Sequence, residues 1–223
     1  MLQIIDGASP EGAARLRPLR RVGFVRLWQS GEFAGCEGAG ARVELVCGAV
    51  IERDVDPAHA RQVALAAARL REGAGAAGRV AVGAAWAIDD YSMPRPDVRV
   101  AAVGGHWERG LRTTPLVVEV IRGGGGPDRA VRRELFARAA LEEYWEVDGE
   151  AGCIVAWRDR DPRRGSWGAA TRYGRGERAV HATRSSLTLA IGELTAPAPG
   201  PTRPGSAPRR ARSRTAAPAP RTR

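Results

Sequence analysis

The chain has 223 residues, 43% hydrophobic but only 5% aromatic, which suits one domain with extensions and a core built mainly of Leu, Val, Ile and Ala. Its formal charge of +10 excludes little by itself, because residues 196–223 carry seven arginines and no acid, leaving +3 on the body. Cys36, Cys47 and Cys153 lack CxxC spacing and support neither a disulfide framework nor a metal cluster. No apolar stretch approaches the roughly 18 residues of a membrane span, and residues 1–10 lack the basic patch and apolar run of a signal peptide. A soluble, cytoplasmic protein is expected.

Residues 1–17 are mixed in character and read as a poorly ordered segment before a body of residues 18–195. Residues 19–33 are weakly helical, through Leu19, Val22, Val25, Leu27 and Trp28, with Gly23 as an objection. Two short apolar runs around Gly48, within residues 42–51, predict a pair of strands or a strand with a bulge. Asp56-Pro57 then opens a helix that runs to Gly73, with Asp as cap and Pro in the first turn. Residues 79–88 place Val80, Val82 and Trp86 at strand-like spacing, and residues 96–100 alternate as another strand.

The clearest element is LVVEVI, residues 116–121, a short and almost wholly apolar run of the kind covered on both faces of a sheet. Four glycines follow, then Pro127-Asp128 and a helix to about Ala140. Residues 143–147 and 153–157 predict consecutive strands across the turn Asp148-Gly149-Glu150, in which Trp145 and Trp157 read as core. Alternating strands and helices indicate an α/β fold. The Pro-, Ala- and Arg-rich residues 196–223 cannot build a core and read as a disordered tail.

Glu119 lies inside the apolar run, where an uncompensated charge is costly to bury. It is either a strand-end acid paired with an arginine or a metal ligand, and the second role needs another carboxylate nearby. Asp97 follows Pro96 at the start of a strand about twenty residues upstream. Acids on neighbouring strands suit Mg²⁺, which takes one or two carboxylates and keeps several waters. Asp128, Arg132 and Phe136 recur every four residues and share a helical face. Arg132 on that face either reaches toward a phosphate or pairs with Asp128 at the surface for a fraction of a kcal/mol. His106 and His181 stand alone in predicted loops and support no triad or zinc site.

PLVVEVI, the glycine run and PDRAVRRELFARAALEEYWEVD together resemble the Uma two family of restriction-endonuclease-like proteins, a branch of the PD-(D/E)XK nucleases. VELVCGAV, SMPRPDVRV and the closing residues 187–194 match in order, and His59 falls where the family often has His. The resemblance spans residues 18–195 and implies a restriction-endonuclease-like mixed central sheet flanked by helices. It also implies a Mg²⁺-dependent site, with Mn²⁺ as a substitute, that hydrolyses DNA. Asp97 and Glu119 would be the metal ligands, the Val120 carbonyl a third, and Glu44 would assist from the first helical region. The family's dimerisation habits admit a homodimer.

The chain departs from the pattern where a lysine is expected, since all 35 of its basic residues are arginine. Ile121 stands at the superfamily's lysine position and Arg132 at that of this branch, while Phe136 replaces a Tyr and residues 123–126 a Ser-rich segment. Arginine can stabilise charge on a phosphate but cannot release a proton near neutral pH. Two readings follow: an active endonuclease, and an inactive nuclease fold kept for nucleic-acid binding or interaction.

Overall fold

The computed structural model describes residues 18–34, 41–54, 56–102, 114–121 and 127–195. The segments read as loosely ordered, 1–17 and 196–223, lie outside the described residues, as do Cys36, His106 and the glycine run. A six-stranded mixed sheet forms the centre, in the order β3-β4-β5-β6-β7-β8. Its strands are β3 (Gly78–Val82), β4 (Val98–Ala102), β5 (Thr114–Ile121), β6 (Leu141–Asp148), β7 (Cys153–Asp161) and β8 (Ser166–Tyr173). Only β5 and β6 run parallel, and helix α3 (Pro127–Arg138) lies between them in sequence. The remaining neighbours are antiparallel.

Each face of the sheet has its own apolar cover. Helix α2 (Pro57–Ala74) begins where Asp56 accepts hydrogen bonds from the amides of Ala58 and His59 at 2.8 and 3.0 Å. That cap satisfies amides that a helix start otherwise leaves unpaired. Val63, Ala66, Ala67 and Leu70 recur at three- and four-residue spacing, so one side of α2 packs on Val98, Val100, Leu116, Val118 and Val120. The strand pair β9 (Arg178–Val180) and β10 (Thr188–Ala190) and helix α4 (Ile191–Thr195) complete this layer. On the opposite face Phe136 of α3 packs with Val117, Tyr144 and Trp86, its ring 5.1 Å from Tyr144. Among the described residues no helix is long and apolar enough to cross a membrane.

A second, smaller unit abuts the sheet end. Strands β1 (Ala41–Val46) and β2 (Ala49–Asp54) form a hairpin whose turn holds Cys47 at φ 50 and Gly48 at φ 82. Two successive positive φ values are the signature of a type I′ turn. Helix α1 (Arg21–Gln29) and Phe33 cover the hairpin, through a cluster of Phe24, Phe33, Val43 and Leu45. Gly23 is accommodated inside α1. Met93 bridges to Leu45 and so ties the hairpin to the segment that leads into Asp97.

Three expectations need correction here. The strand expected over residues 79–88 ends at Val82, because Gly83 turns at φ 57 and the chain then folds back, with the Trp86 amide donating to the Pro94 carbonyl. His181 is not isolated: it is buried, with Nε2 3.0 Å from the Pro115 carbonyl and Nδ1 3.7 Å from Glu143. Trp145 is core, whereas Trp157 is half-buried beneath the Arg133 guanidinium at 4.0 Å.

Gly73, in the last turn of α2, carries a steric requirement. A Cβ there would lie 2.1 Å from the Ser186 carbonyl oxygen, a backbone atom that cannot swing away. Gly73→Ala is therefore expected to destabilise the fold by about 1–3 kcal/mol, the usual cost of overpacking, as read from the denaturant midpoint. An unchanged midpoint would show that the segment before β10 yields freely.

Candidate active site

The C-terminal end of β5 presents a row of buried acids. Pairing of β4 with β5 ends at Val98 opposite Val118, so one step further along this register places Asp97 beside Glu119. On the other side Glu119 pairs with Glu146 in the parallel ladder. Alternation along a strand puts Glu119 and Glu146 on the face of Val117 and Tyr144, the face that α3 covers. All three acids are buried.

Asp97 is held from three directions. Its Oδ1 is paired with Arg42 Nη2, and its Oδ2 accepts from the Val120 amide at 2.9 Å and lies 3.0 Å from His59 Nε2. Since a carboxylate only accepts, His59 Nε2 carries a proton and donates it to Asp97. Burial pushes the Asp97 carboxyl up, but the His59 hydrogen bond and the charges of Arg53, His59 and Arg42 outweigh it and hold the group well below the usual carboxylate range.

Glu119 goes the other way. Burial, and next the charge of Asp97, push its carboxyl up to about 8, against the opposing pull of Arg53 and Arg132 and with a further push from Glu44. Oε2 accepts from Arg53 Nη1 at 3.3 Å, whereas buried Oε1 has no hydrogen-bond partner among the described residues and lies 3.7 Å from Arg132 Nη1. Like charges sharing a buried site cannot both ionise freely.

Glu44 lies on strand β1, not in a helical region as the resemblance implied. Both its oxygens meet the Arg132 guanidinium, Oε1 paired with Nη2 and Oε2 3.2 Å from Nη1, and Oε2 also accepts from the Arg95 amide at 2.9 Å. Arg132 Nε donates to Asp128 Oδ2 at 3.0 Å. The helical-face pair with Asp128 thus exists, but only its acid is at the surface: Asp128 is exposed, whereas Arg132 is only 3% exposed. Glu146 is separately engaged by Arg129 at 2.8 Å, Arg133 at 3.2 Å and the Trp157 indole at 3.1 Å.

Four residues singled out in the sequence, Glu44, Asp97, Glu119 and Arg132, therefore converge, and Val120 contributes its amide to Asp97. Arg42, Arg53 and Glu146 escaped sequence reasoning. A buried strand acid demands a cation, but nothing local marks which of 35 arginines supplies it.

The scan against protein families matches residues 30–191 to Uma2, described as "Putative restriction endonuclease". The chain belongs to the Uma2 family. Among solved structures, this Uma2 chain is similar to one described as "a putative nuclease belonging to DUF820" from Anabaena variabilis. The two align with a TM-score of 0.55 at 12% identity, over 69% of the Uma2 chain and 89% of the other. At that identity the likeness speaks for a shared fold. No curated protein matches the Uma2 chain in sequence.

The opposite titration of the two acids makes stability depend on pH. A folded-state carboxyl raised from 4.5 to about 8 binds its proton more tightly than in the unfolded chain, so it subtracts stability as pH rises across that window. Asp97, depressed from 3.8, contributes stability above that value that is lost on acidification. Without divalent metal, unfolding free energy should fall by on the order of a few kcal/mol from pH 5 to 8. Glu119→Gln should flatten that slope in denaturant titrations at fixed ionic strength. An equally steep slope in the variant would assign the titration to another group.

Proposed function

We propose that the protein is a metal-dependent endodeoxyribonuclease of the PD-(D/E)XK type, with Asp97, Glu119 and the Val120 carbonyl as ligands for Mg²⁺ or Mn²⁺. The observation that carries this reading is the unpartnered, buried Oε1 of Glu119 beside Asp97. Two acids that disfavour each other's ionisation provide a place for a cation. Among the described residues no group of three or more His, Cys, Asp or Glu side chains forms a metal cage. The donor set therefore fits a hard ion that keeps much of its own water, as Mg²⁺ does. When bound, such an ion polarises phosphate oxygens and lowers the pKa of water.

The protein's own groups divide the remaining work. His59, Arg42 and the Val120 amide pin Asp97 in its ionised state. Glu119 would give up its carboxyl proton on holding a cation, with the unpartnered Oε1 as the donor atom. Arg132 engages acids with all three guanidinium nitrogens, so it meets a phosphate only by exchanging away from Glu44 or Asp128. It supplies fixed positive charge and takes no part in proton transfer.

One observation favours the inactive alternative. Arg42 and Arg132 already offset the charges of Asp97 and Glu44 without any metal, and Arg53 donates to Glu119. Plasmid nicking with Mg²⁺ or Mn²⁺ separates the readings, with Asp97→Ala and Glu119→Ala as controls. Nicking that disappears in both variants supports the proposal, and nicking that survives both sinks the site. Salt-sensitive DNA binding without any nicking supports the alternative.

A further inference from the structure

Behind Asp97, on the α2 side, lies a pocket of about 400 Å³ whose charged lining is entirely basic: Arg42, Arg71 and Arg95, with His59. Val63 and Ala67 of α2 are among its apolar lining residues. Among the described residues no acidic side chain lines it. Gly83 also lines it and bends the backbone there at φ 57, and its carbonyl accepts from Arg95 Nε at 2.8 Å, which steadies that side chain. A Cβ at Gly83 would come within 3.0 Å of Arg42 Nη1, so the small residue leaves room for the guanidinium.

A second observation points to a ligand. His59 is 5% exposed, and its Nδ1 is buried without a hydrogen-bond partner, although Nε2 is committed to Asp97. Arg42 Nη2 is likewise paired with Asp97, and its Nε is a buried donor without a partner among the described residues. Buried polar atoms are rarely left unpaired, and each costs free energy until something satisfies it. Of the two, Arg42 Nε is a donor that an anion's oxygen can satisfy, whereas His59, with its Nε2 proton given to Asp97, presents Nδ1 as an acceptor and serves by fixing Asp97 at the pocket's inner end.

We infer that this pocket seats a backbone phosphate of a nucleic-acid strand, next to the phosphate that the metal proposed at Asp97 and Glu119 would engage. Arginine suits the oxygens of a phosphodiester through paired N–H donors. The apolar lining by Val63 and Ala67 accommodates the adjoining sugar without a competing carboxylate. Seating this phosphate on the Arg42 and His59 side sets the strand's path past the acids. The assignment of the phosphate to a substrate strand rests on the nuclease reading, whereas the pocket's affinity for the anion does not.

The test is binding of a short fluorescent single-stranded oligodeoxynucleotide to the full chain in EDTA, where nothing is cut. Arg71 is exposed on α2, so Arg71→Ala removes pocket charge with little risk to folding. It should weaken binding about tenfold and lower the salt slope by about one, with Arg71→Lys recovering part of the loss. Arg172→Ala, an equal charge change at an exposed site on β8, should alter binding by less than about twofold. Equal losses in the Arg71 and Arg172 variants, or none in Arg71→Ala, would overturn the pocket. Plasmid nicking by the wild type together with unchanged Arg71→Ala binding removes the pocket and leaves the nuclease reading intact. Lost binding in Arg71→Ala with no wild-type nicking keeps the pocket and removes the nuclease.

Discussion

Glu119→Gln is expected to lower plasmid nicking at least roughly 100-fold while leaving stability at pH 7 within about 0.5 kcal/mol of wild type. The first figure follows because changing a partner of a metal ligand already costs 10- to 100-fold, and Gln lacks the charge of a ligand. The second follows from the carboxyl being pushed up to about 8, so the metal-free protein at pH 7 holds Glu119 mostly protonated. Glutamine has nearly that shape and the same lack of charge. A side chain kept only for structure would not separate the two readouts in this way. Metal binding supplies a further check: a cation must displace the proton, so Mn²⁺ affinity should rise by about tenfold per pH unit below pH 8. Calorimetry that shows a pH-independent affinity, or nicking by Glu119→Gln at the wild-type rate, would remove Glu119 from the site.

Arg132→Ala is expected to destabilise the protein by about 3–5 kcal/mol, the cost of leaving a buried partner without its countercharge. Glu44 loses its two guanidinium contacts, and Arg53, 3.9 Å away at its nearest, cannot take over both oxygens. Glu119 meanwhile loses a neighbouring positive charge, which moves its carboxyl still higher. Pairing Arg132→Ala with Glu44→Gln should restore a substantial part of the loss, because the stranded charge is then gone. The double-mutant cycle in urea measures this directly. Additive effects of the two changes would show that Arg132 acts through Asp128 and Glu119 rather than Glu44. Lysine in place of Arg132 keeps the charge but forfeits the paired contact, so it should lie between wild type and Ala.

Much of the fold was legible in the sequence because it rests on local signals. The run 116–121 is apolar on both faces and became the central strand β5. Asp56-Pro57 opened α2 as expected, with the aspartate capping two amides. The Gly48 turn, α3 and the β6–β7 pair also follow from turn chemistry and periodicity within about twenty residues. Strand β8, SWGAATRY, gave no such signal, because an edge strand with one solvated face carries too few apolar residues to show a pattern.

Glu119 stood out for the same reason that β5 did. A charge inside an apolar run is visible in sequence, and its need for compensation follows from the cost of burial. What compensates it was not visible. Arg53, on a hairpin 66 residues earlier, reaches Glu119, and Glu44 meets Arg132 across 88 residues. Such pairings depend on how the hairpin docks against the sheet end, which the Leu45–Met93 bridge and the α1 cluster decide. The sequence by itself determined where the acids lie along their strands. Only the tertiary structure decided which arginines meet them, because a charge's partner is set by three-dimensional proximity, to which spacing along the chain is no guide.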